Sequence, residues 1–314
     1  MKLIILDGRT VVGNDLNWDC FAGLGDISVY DRTPREETIA RIGDAEAIFI
    51  NKVIIDKEIL NACPRLKYIG LFATGYNVVD IAAARERGIV VTNVPSYSTD
   101  SVAQMTFAMI LETACNVSLH SQSVHNGEWQ YSPDFCFWKV PLVELAGKTL
   151  GIVGFGSIGR QVANIARAFK MNVLFATRTQ KNESVSLKYL LENSDYVSLH
   201  CPLNNENKGM INKSTLALMK PSAYLINTAR GGLVNEADLA DALNNNIIAG
   251  ACLDVVSSEP ISATNPVLSA KNCILTPHIA WAPKETRMRL LNVVVDNFIK
   301  WREGKSQNDV TKKV

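Results

Sequence analysis

The stretch LGIVGFGSIG, residues 150–159, decides the fold of the second half of this chain. An apolar run ends in three spaced glycines, Gly154, Gly156 and Gly159, and an amphipathic segment follows at residues 160–169. This order predicts a strand, a tight turn and a helix. The first glycine permits the turn, the second lets the backbone approach a pyrophosphate, and the third lets the helix pack against the strand.

The predicted helix follows the turn residues Ser157 and Ile158. Its first N–H groups have no partner within the helix, and the helix dipole adds partial positive charge there, so this N-terminus attracts phosphate groups. A purely structural glycine turn is the alternative. The strand before the turn and the helix after it favour dinucleotide binding.

The composition is that of a globular protein long enough for two domains. The chain has 314 residues, of which 47% are hydrophobic and 20% charged, and a formal net charge of +1. Its scattered basic residues disfavour nucleic acid and anionic membranes as partners. No segment is long enough to cross a bilayer, and the N-terminal MKLIILDGRT is typical of a first strand rather than a signal peptide. The seven cysteines include no CxxC pair and no nucleophile-like context, which indicates a cytoplasmic protein without a metal site.

Short β-rich runs alternate with helical patterns along the first hundred residues, as at the predicted helices 35–42 and 79–86. The predicted strands are residues 3–6, 27–30, 47–50, 68–71 and 89–92. Such alternation predicts an α/β domain with a parallel sheet, in which ligands bind at the carboxyl ends of the strands. Two of these ends, at residues 51–53 and 72–76, are therefore candidate contact segments.

A long apolar helix at residues 98–115 is expected to be buried. The aromatic loop at residues 129–138 follows it, and we expect packing or a subunit contact there rather than substrate binding. The glycine turn then opens a second α/β domain with the six strands of a dinucleotide fold. The predicted strands are residues 150–153, 172–176, 196–199, 224–227, 249–253 and 273–275. The last helix is predicted at residues 284–301.

Three chemically strong side chains, Arg230, Glu259 and His278, each follow one of the late strands. Parallel strands end at one edge of a sheet, so we expect all three near the phosphate turn. Arg230 can grip a carboxylate with its planar guanidinium, and His278 can give a proton to a carbonyl oxygen as hydride arrives. Glu259 can fix the imidazole tautomer and favour its charged form. The alternative is that each is a surface or capping residue.

The whole chain resembles the D-isomer-specific 2-hydroxyacid dehydrogenases. The motifs that carry the resemblance are ATGYNVVD at 73–80, GKTLGIVGFGSIG at 147–159, LHCPL at 199–203, NTARGGLVNE at 227–236, GACLDVVSSEP at 250–260 and TPHIAW at 276–281. The resemblance implies that Arg230, Glu259 and His278 are the catalytic residues, with His278 as acid and base. It also implies that Asp254 faces the nicotinamide carboxamide. The remaining implied contacts are Cys201, Pro202 and Thr228 with the cofactor, and the backbone of Thr74 and Gly75 with the substrate carboxylate.

The resemblance further implies two Rossmann-like domains with parallel sheets. Residues 1–97 and 285–314 would form a discontinuous, flavodoxin-like substrate-binding domain, and residues 98–284 the inserted dinucleotide-binding domain. A homodimer built around residues 98–140 is implied as well.

Three segments, at residues 51–53, 134–142 and 281–290, resemble those of the glycerate dehydrogenase and hydroxypyruvate or glyoxylate reductase branch. Lys52 would then contact a small polar 2-oxo acid. Trp138 has two interpretations: it reaches a neighbouring subunit's substrate pocket, or it packs in the subunit interface.

One departure from the family concerns the cofactor. Where NAD-preferring members end the second strand of this domain in Asp, this chain has Phe175-Ala176-Thr177-Arg178-Thr179. No carboxylate is present there to bind the ribose 2′-hydroxyl, whereas Thr177, Arg178 and Lys181 could receive a 2′-phosphate. NADP, or use of both NADP and NAD, is therefore favoured. The alternative is that Arg178 lies over the adenine.

The sequence thus predicts an NAD(P)-dependent dehydrogenase that reduces hydroxypyruvate or glyoxylate to D-glycerate or glycolate. Two alternatives stay open. One is a reductase of a bulkier 2-oxo acid, of lactate or branched-chain type, and the other is a dinucleotide-sensing binding protein of the same fold.

Overall fold

The computed structural model describes residues 1–178, 183–305 and 307–312. Within these residues there are eleven strands and eleven α-helices. The strands are β1 (Lys2–Ile5), β2 (Asp26–Val29), β3 (Ala47–Ile50), β4 (Tyr68–Leu71), β5 (Val90–Thr92), β6 (Thr149–Val153), β7 (Asn172–Ala176), β8 (Tyr196–Leu199), β9 (Tyr224–Asn227), β10 (Gly250–Leu253) and β11 (Cys273–Leu275). The helices are α1 (Arg9–Val12), α2 (Thr38–Ile42), α3 (Lys57–Ala62), α4 (Ile81–Glu86), α5 (Thr99–Cys115), α6 (Val117–His125), α7 (Ser157–Ala168), α8 (Leu187–Asn193), α9 (Lys213–Leu216), α10 (Glu236–Asn244) and α11 (Lys284–Arg302).

The chain divides into two compact units. The first comprises Met1–Ser98 and Ala282–Val314, and the second comprises Thr99–Trp281. Each unit contains one sheet whose strand pairs are all parallel. The predicted α/β class is therefore confirmed.

The sheet of the first unit has the strand order β2-β1-β3-β4-β5. This is the flavodoxin-like order, in which ligand crevices form where the chain changes direction, here between β1 and β3. Aliphatic side chains such as Ile48 and Ile69 fill one face of the sheet. Aromatic rings, among them Phe49, fill the other face, where Phe298 of α11 lies 5.4 Å from the Phe49 ring.

The sheet of the second unit has the order β11-β10-β9-β8-β6-β7. The chain leaves β6 towards β7 and then crosses back to β8, so the reversal point lies at the carboxyl end of β6, where the glycine turn begins. Helices α5 and α7 cover one face around Phe107, Ile152 and Val162. Helices α8 and α10 cover the other face around Leu190 and Leu239.

Most predicted elements start and end within one residue of the observed bounds, but three helices differ. The helix predicted at 160–169 begins at Ser157, so Ser157 and Ile158 belong to its first turn. The predicted helix at 35–42 begins as a 3-10 turn, Arg35–Glu37, and becomes α-helical only at Thr38. The helix predicted at 79–86 begins at Ile81, because the Asp80 side chain accepts a hydrogen bond from the Ala83 N–H and caps it.

Helix α5 is only partly buried. Phe107, Met109 and Ile110 are buried, whereas Asp100 and Gln104 are exposed. No single helix in the described part of the chain is long and apolar enough to span a membrane. Taken together, α5 and α6 have the required length and composition, but they are bent by 56° where they meet.

Candidate active site

The glycine turn after β6 has the geometry of a phosphate-binding loop. Gly154 has a φ of 96°, and a Cβ there would lie 2.6 Å from the backbone nitrogen of Cys201. A Cβ on Gly159 would lie 2.2 Å from the Gly154 carbonyl oxygen, so only glycine allows α7 to approach the strand this closely.

The open side of this turn faces away from protein atoms. A Cβ on Gly156 would meet nothing within 4 Å. Helix α7 begins at Ser157, and no side chain of the described residues caps it. The N–H groups at Ser157 and Ile158 therefore remain available to an anion. These residues fit the pyrophosphate of a dinucleotide.

The neighbouring strand ends hold other residues expected to contact a cofactor. Phe155 of the turn stacks on Phe175 of β7 with 4.0 Å between ring centroids, which fixes the turn against β7. The Thr228 hydroxyl lies 3.1 Å from that of Thr106, and Cys201 and Pro202 follow β8 after His200. Burial raises the pKa of the Cys201 thiol, so it is a poorer nucleophile than an exposed cysteine.

Arg178 has a carboxylate partner that the sequence did not reveal. Its Nη1 lies 3.7 Å from Oε2 of Glu206, and both side chains are more than three-quarters exposed, at 78% and 76%. Thr177 precedes it at the end of β7. Lys181, also expected at a 2′-phosphate, lies outside the described residues.

Asn227 at the end of β9 shapes the turn that carries Arg230. Its side chain accepts a hydrogen bond from the Ala229 N–H (3.0 Å) and donates one to the Arg230 carbonyl (2.9 Å). The exposed guanidinium bonds only to the Ala229 carbonyl and forms no ion pair with any described residue. The backbone of Arg230 is therefore fixed, and its positive charge is not neutralised by an ion pair. Such a cation suits an anionic ligand.

Glu259 and His278 are in direct contact. Oε2 of Glu259 lies 2.6 Å from Nδ1 of His278, and Oε1 accepts from the Val256 N–H at 3.2 Å. An ionised carboxylate only accepts, so Nδ1 carries the proton in this contact and Nε2 is left for another group. The His278 side chain is 27% exposed, so the imidazole is not sealed in the core.

Asp254 holds the segment that presents His278. Its carboxylate accepts hydrogen bonds from the Ile279 and Ala280 N–H groups (both 2.9 Å) and from the Thr276 hydroxyl (2.5 Å). The Asp254 carbonyl accepts from the His278 N–H at 2.8 Å. These bonds hold His278 at a φ of 55°, a left-handed conformation that costs a non-glycine residue about 1–2 kcal/mol. The expected contact of Asp254 with a nicotinamide carboxamide stays a prediction.

The sequence predicts Arg230, Glu259 and His278 at one edge of the sheet. Two features of the structure concern this prediction. They follow β9, β10 and β11, which are adjacent and parallel. A Cβ on Gly231 would lie 1.9 Å from the Val256 carbonyl carbon, so the turn that carries Arg230 packs on the loop that carries Glu259. A direct bond joins only Glu259 to His278.

In the first unit, the backbone after β4 offers unused donors. The Thr74 hydroxyl donates to the Val94 carbonyl (2.7 Å), and Asn93 donates to the Thr74 carbonyl (2.7 Å), so this segment is fixed. The N–H groups of Thr74 and Gly75 bond to no group in the described parts of the chain. Adjacent N–H donors of this kind suit a carboxylate.

Asp7 at the end of β1 holds the segment with Lys52. Its carboxylate accepts from the N–H groups of Asn51 (2.7 Å), Lys52 (2.5 Å) and Val53 (3.1 Å). Burial raises the pKa of Asp7, although these hydrogen bonds oppose the shift. A cavity of about 510 Å³ beside this segment is lined by Thr33, Arg35, Thr38, Lys52, Val53, Ile54 and Asp56.

His200, directly behind the glycine turn, is a partly buried residue to which the sequence analysis assigned no role. Its Nε2 lies 2.8 Å from the Ser198 hydroxyl oxygen, and its buried Nδ1 has no hydrogen-bond partner among residues that the structure describes. Burial lowers the pKa of His200 to about 3. The imidazole is therefore neutral under ordinary conditions.

This neutral imidazole makes stability depend on pH. An unfolded histidine has a pKa of about 6.5, so between this value and the folded value of about 3 the unfolded chain binds more protons. We expect the free energy of unfolding to fall as pH drops through this window, by at most about 1.4 kcal/mol per pH unit from this group. Urea unfolding from pH 7 to 5 should show a flatter dependence for His200→Gln. Protonation of the His200 imidazole above pH 5 in an NMR titration would contradict this.

Comparison with known proteins identifies the family. The sequence model described as "D-isomer specific 2-hydroxyacid dehydrogenase, NAD binding domain" matches residues 107–280, more than half of the chain. The chain belongs to this family. It is an oxidoreductase of the CH–OH group of 2-hydroxy acids, and its cofactor is a nicotinamide dinucleotide.

Relatives of this dehydrogenase cover its whole length. A hydroxypyruvate reductase from Blautia hydrogenotrophica is 46% identical over 99% of this chain and 100% of its own. A glycerate dehydrogenase from Methylorubrum extorquens is 41% identical over 88% of each chain. Among solved structures, an NADPH-dependent glyoxylate/hydroxypyruvate reductase from Sinorhizobium meliloti in complex with citrate is 29% identical, with a TM-score of 0.84 over 98% of this chain and 97% of that one.

In the described ranges of this dehydrogenase, no group of three or more His, Cys, Asp or Glu side chains could hold a metal ion. All seven cysteines lie in these ranges and are unpaired.

Proposed function

We propose that this enzyme reduces hydroxypyruvate or glyoxylate to D-glycerate or glycolate, and catalyses the reverse oxidation. The observation that carries the proposal is the 2.6 Å contact between Glu259 and His278, together with the unpaired cation Arg230 after the neighbouring strand β9. The names of the relatives support the choice of substrate. Chiral analysis of the product tests it: D-glycerate is expected from hydroxypyruvate, and L-glycerate would contradict the proposed arrangement.

The proposed chemistry assigns one task to each side chain. The bound dinucleotide supplies the hydride. The Arg230 guanidinium binds the substrate carboxylate through two parallel hydrogen bonds. In the first unit, the N–H groups of Thr74 and Gly75 are the proposed substrate contacts. His278 gives its Nε2 proton to the carbonyl oxygen, and in the reverse direction takes the hydroxyl proton. Glu259 keeps its hydrogen bond to Nδ1 throughout and stabilises the imidazolium.

Replacing Glu259 tests this last role. Glu259→Gln removes the negative charge that stabilises the protonated His278, while the amide oxygen still accepts from Nδ1. We expect the rate of 2-oxo acid reduction to fall about 10- to 100-fold near neutral pH. We also expect the loss of rate at high pH to set in at a lower pH than in the wild type. An unchanged pH profile would contradict the role of Glu259.

Within the first unit, we propose that Lys52 contacts the distal polar group of the substrate. The Asp7 carboxylate fixes the backbone around it, as its three N–H hydrogen bonds support. A hydroxymethyl group, as in hydroxypyruvate, can hydrogen-bond to an ammonium, whereas the methyl of pyruvate cannot. We therefore assign substrate binding to the unit of residues 1–97 and 285–314, and cofactor binding to that of residues 98–284.

We propose that the enzyme uses NADP or both cofactors, and that Arg178 and Glu206 set the balance. Arg178 attracts a 2′-phosphate, and the carboxylate 3.7 Å from it repels the same group. The NADPH-dependent relative from S. meliloti supports NADP use.

Removing the Glu206 charge should shift cofactor preference. Two unit charges about 4 Å apart interact by roughly 1 kcal/mol in water, which corresponds to about fivefold in a dissociation constant. In Glu206→Gln, the dissociation constant of NADH divided by that of NADPH should therefore rise about fivefold. Fluorescence titration measures both constants. The control is Glu192→Gln, which removes the charge of an exposed glutamate that pairs with Lys188. This variant should leave the ratio unchanged. No change in Glu206→Gln would contradict the assignment.

We further propose a cytoplasmic homodimer joined through residues 98–140. The support is the exposure of large apolar side chains there, with Tyr131 82%, Phe135 89% and Trp138 67% exposed, together with the unpaired cysteines. Light scattering should give twice the 34.5 kDa chain mass. If Trp138 reaches a neighbouring subunit's pocket, Trp138→Ala should raise the KM of the 2-oxo acid, whereas interface packing predicts a loss of dimer.

A further inference from the structure

The loop between β10 and the 3-10 turn Pro266–Ser269 carries Glu259, yet it has little to hold it in place. Residues 257–264 are all exposed, and the nearest buried side chains are Val255 before them and Val267 after them. A loop without apolar anchors is mobile unless hydrogen bonds fix it. The 2.6 Å contact of Glu259 with His278 therefore needs support from elsewhere.

Support at the base of the loop comes from the carboxylate of Glu236, at the start of α10. It accepts hydrogen bonds from the Ser257 N–H (2.5 Å), the Ser257 hydroxyl (2.6 Å) and the Asn265 side-chain amide (2.8 Å). Ser257 and Asn265 are the two ends of the exposed loop. A single side chain thus closes the loop at its base, with Glu259 two residues beyond the first contact.

The same short segment connects both halves of the proposed site. Arg230 precedes the 3-10 turn Gly231–Leu233, and Glu236 follows this turn as the first residue of α10. Gly231 packs directly on Val256, which donates to Glu259. The position of Glu259 is therefore tied to the segment that presents Arg230.

We propose that Glu236 is a positioning residue, which clamps the loop of residues 257–265 and thereby sets the Glu259–His278 hydrogen bond. The inference rests on the proposed function of that pair. An ionised carboxylate suits this task because all three partners are donors, and hydrogen bonds to a charged acceptor are the stronger kind. It also lies in the first turn of α10, where the helix dipole favours negative charge.

Glu236→Gln tests this role directly. Glutamine has the same shape as glutamate, but its NH2 group cannot accept a hydrogen bond from Ser257 or Asn265. At least one of the three hydrogen bonds is then lost, and the loop loosens. We expect kcat for 2-oxo acid reduction to fall on the order of 10-fold, as for a small misplacement of a catalytic group. KM for the 2-oxo acid and the NADPH dissociation constant should stay within about twofold, since the Glu236 carboxylate bonds to Ser257 and Asn265 and has no proposed ligand contact.

The pH profile separates positioning from general stability. In Glu236→Gln the loss of rate at high pH should set in at a lower pH, in the same direction as in Glu259→Gln. The matched control is Asp238→Asn, on the same helix, whose carboxylate accepts from the Lys213 N–H instead of the loop. This control should lose stability without a change in the pH profile. An unchanged profile in Glu236→Gln, or an equal change in both variants, would overturn the proposal.

Two further readouts keep the outcomes distinct. The double variant Glu236→Gln, Glu259→Gln should have a kcat within about twofold of that of Glu259→Gln alone, because Glu236 acts through Glu259. The NMR signal of the His278 Nδ1 proton should shift in Glu236→Gln and not in Asp238→Asn. If Glu259→Gln itself changes neither rate nor profile, the proposed function fails. If Glu259→Gln changes the rate and the pH profile but Glu236→Gln changes neither, only the positioning role of Glu236 fails.

Discussion

Replacing His278 with glutamine is expected to lower kcat for 2-oxo acid reduction by about 100- to 10,000-fold, the range that a general acid contributes. Glutamine can hydrogen-bond to a carbonyl oxygen but cannot give it a proton. Glu259 would then hold an amide in place of an imidazolium. The other proposed binding groups, Arg230 and the glycine turn, stay in place.

Cofactor binding should be nearly intact in His278→Gln. The residues that fit the pyrophosphate, Gly154, Gly156 and the start of α7, follow β6, whereas His278 follows β11, and strands β8, β9 and β10 lie between them. Fluorescence titration should therefore give an NADPH dissociation constant within about twofold of the wild type. Equal losses of turnover and of binding would count against the acid–base role. His278→Asn provides a second variant, because asparagine tolerates the left-handed φ of 55° at this position better than most residues.

Arg230→Gln should produce the second large effect, chiefly on substrate binding. A hydrogen bond to a charged group contributes about 1.5–3 kcal/mol, so losing the paired contacts of a guanidinium should lower kcat/KM by roughly 100- to 1,000-fold. Arg230→Lys keeps the charge but not the planar pair of donors, and should fall between wild type and glutamine.

Stability should hardly change in Arg230→Gln. The guanidinium is exposed and bonds only to its neighbour's carbonyl, so melting temperatures should agree within about 2 °C. Arg167→Gln, which removes another exposed arginine of the same unit, is the control and should leave kcat/KM unchanged. A wild-type KM for the 2-oxo acid in Arg230→Gln would show that the substrate carboxylate binds elsewhere.

The sequence predicts this fold well because its strands are bounded by strong local signals. Strand β9 runs from Tyr224 to Asn227 as predicted, since an apolar run stops at an asparagine whose side chain shapes the next turn. The glycine turn is equally local, as spacing alone places Gly154 and Gly159 where no Cβ fits. The start of the helix predicted at residue 35 was wrong because a 3-10 turn and an α-helix share much the same sequence pattern.

The sequence predicts the candidate catalytic residues but not the groups that hold them in place. Arg230, Glu259 and His278 could be placed at one edge because each follows a strand. The groups that hold them could not, because their contacts join loops far apart in the chain: Glu236 reaches Asn265, and Asp254 reaches Ala280. Glu206 beside Arg178 was hidden for the same reason. Neutral His200 was missed because burial, which sets its pKa, depends on the packed core.

The most direct measurement of the central claim is kcat/KM for hydroxypyruvate, glyoxylate, pyruvate and a branched-chain 2-oxo acid, each with NADPH and with NADH. We predict fast reduction of hydroxypyruvate, at least about tenfold above pyruvate, because a hydrogen bond from the charged Lys52 to the hydroxymethyl group contributes about 1.5 kcal/mol or more. NADPH should be used at least as well as NADH. Preference for the branched-chain substrate, or no turnover with any of the four, would contradict the account.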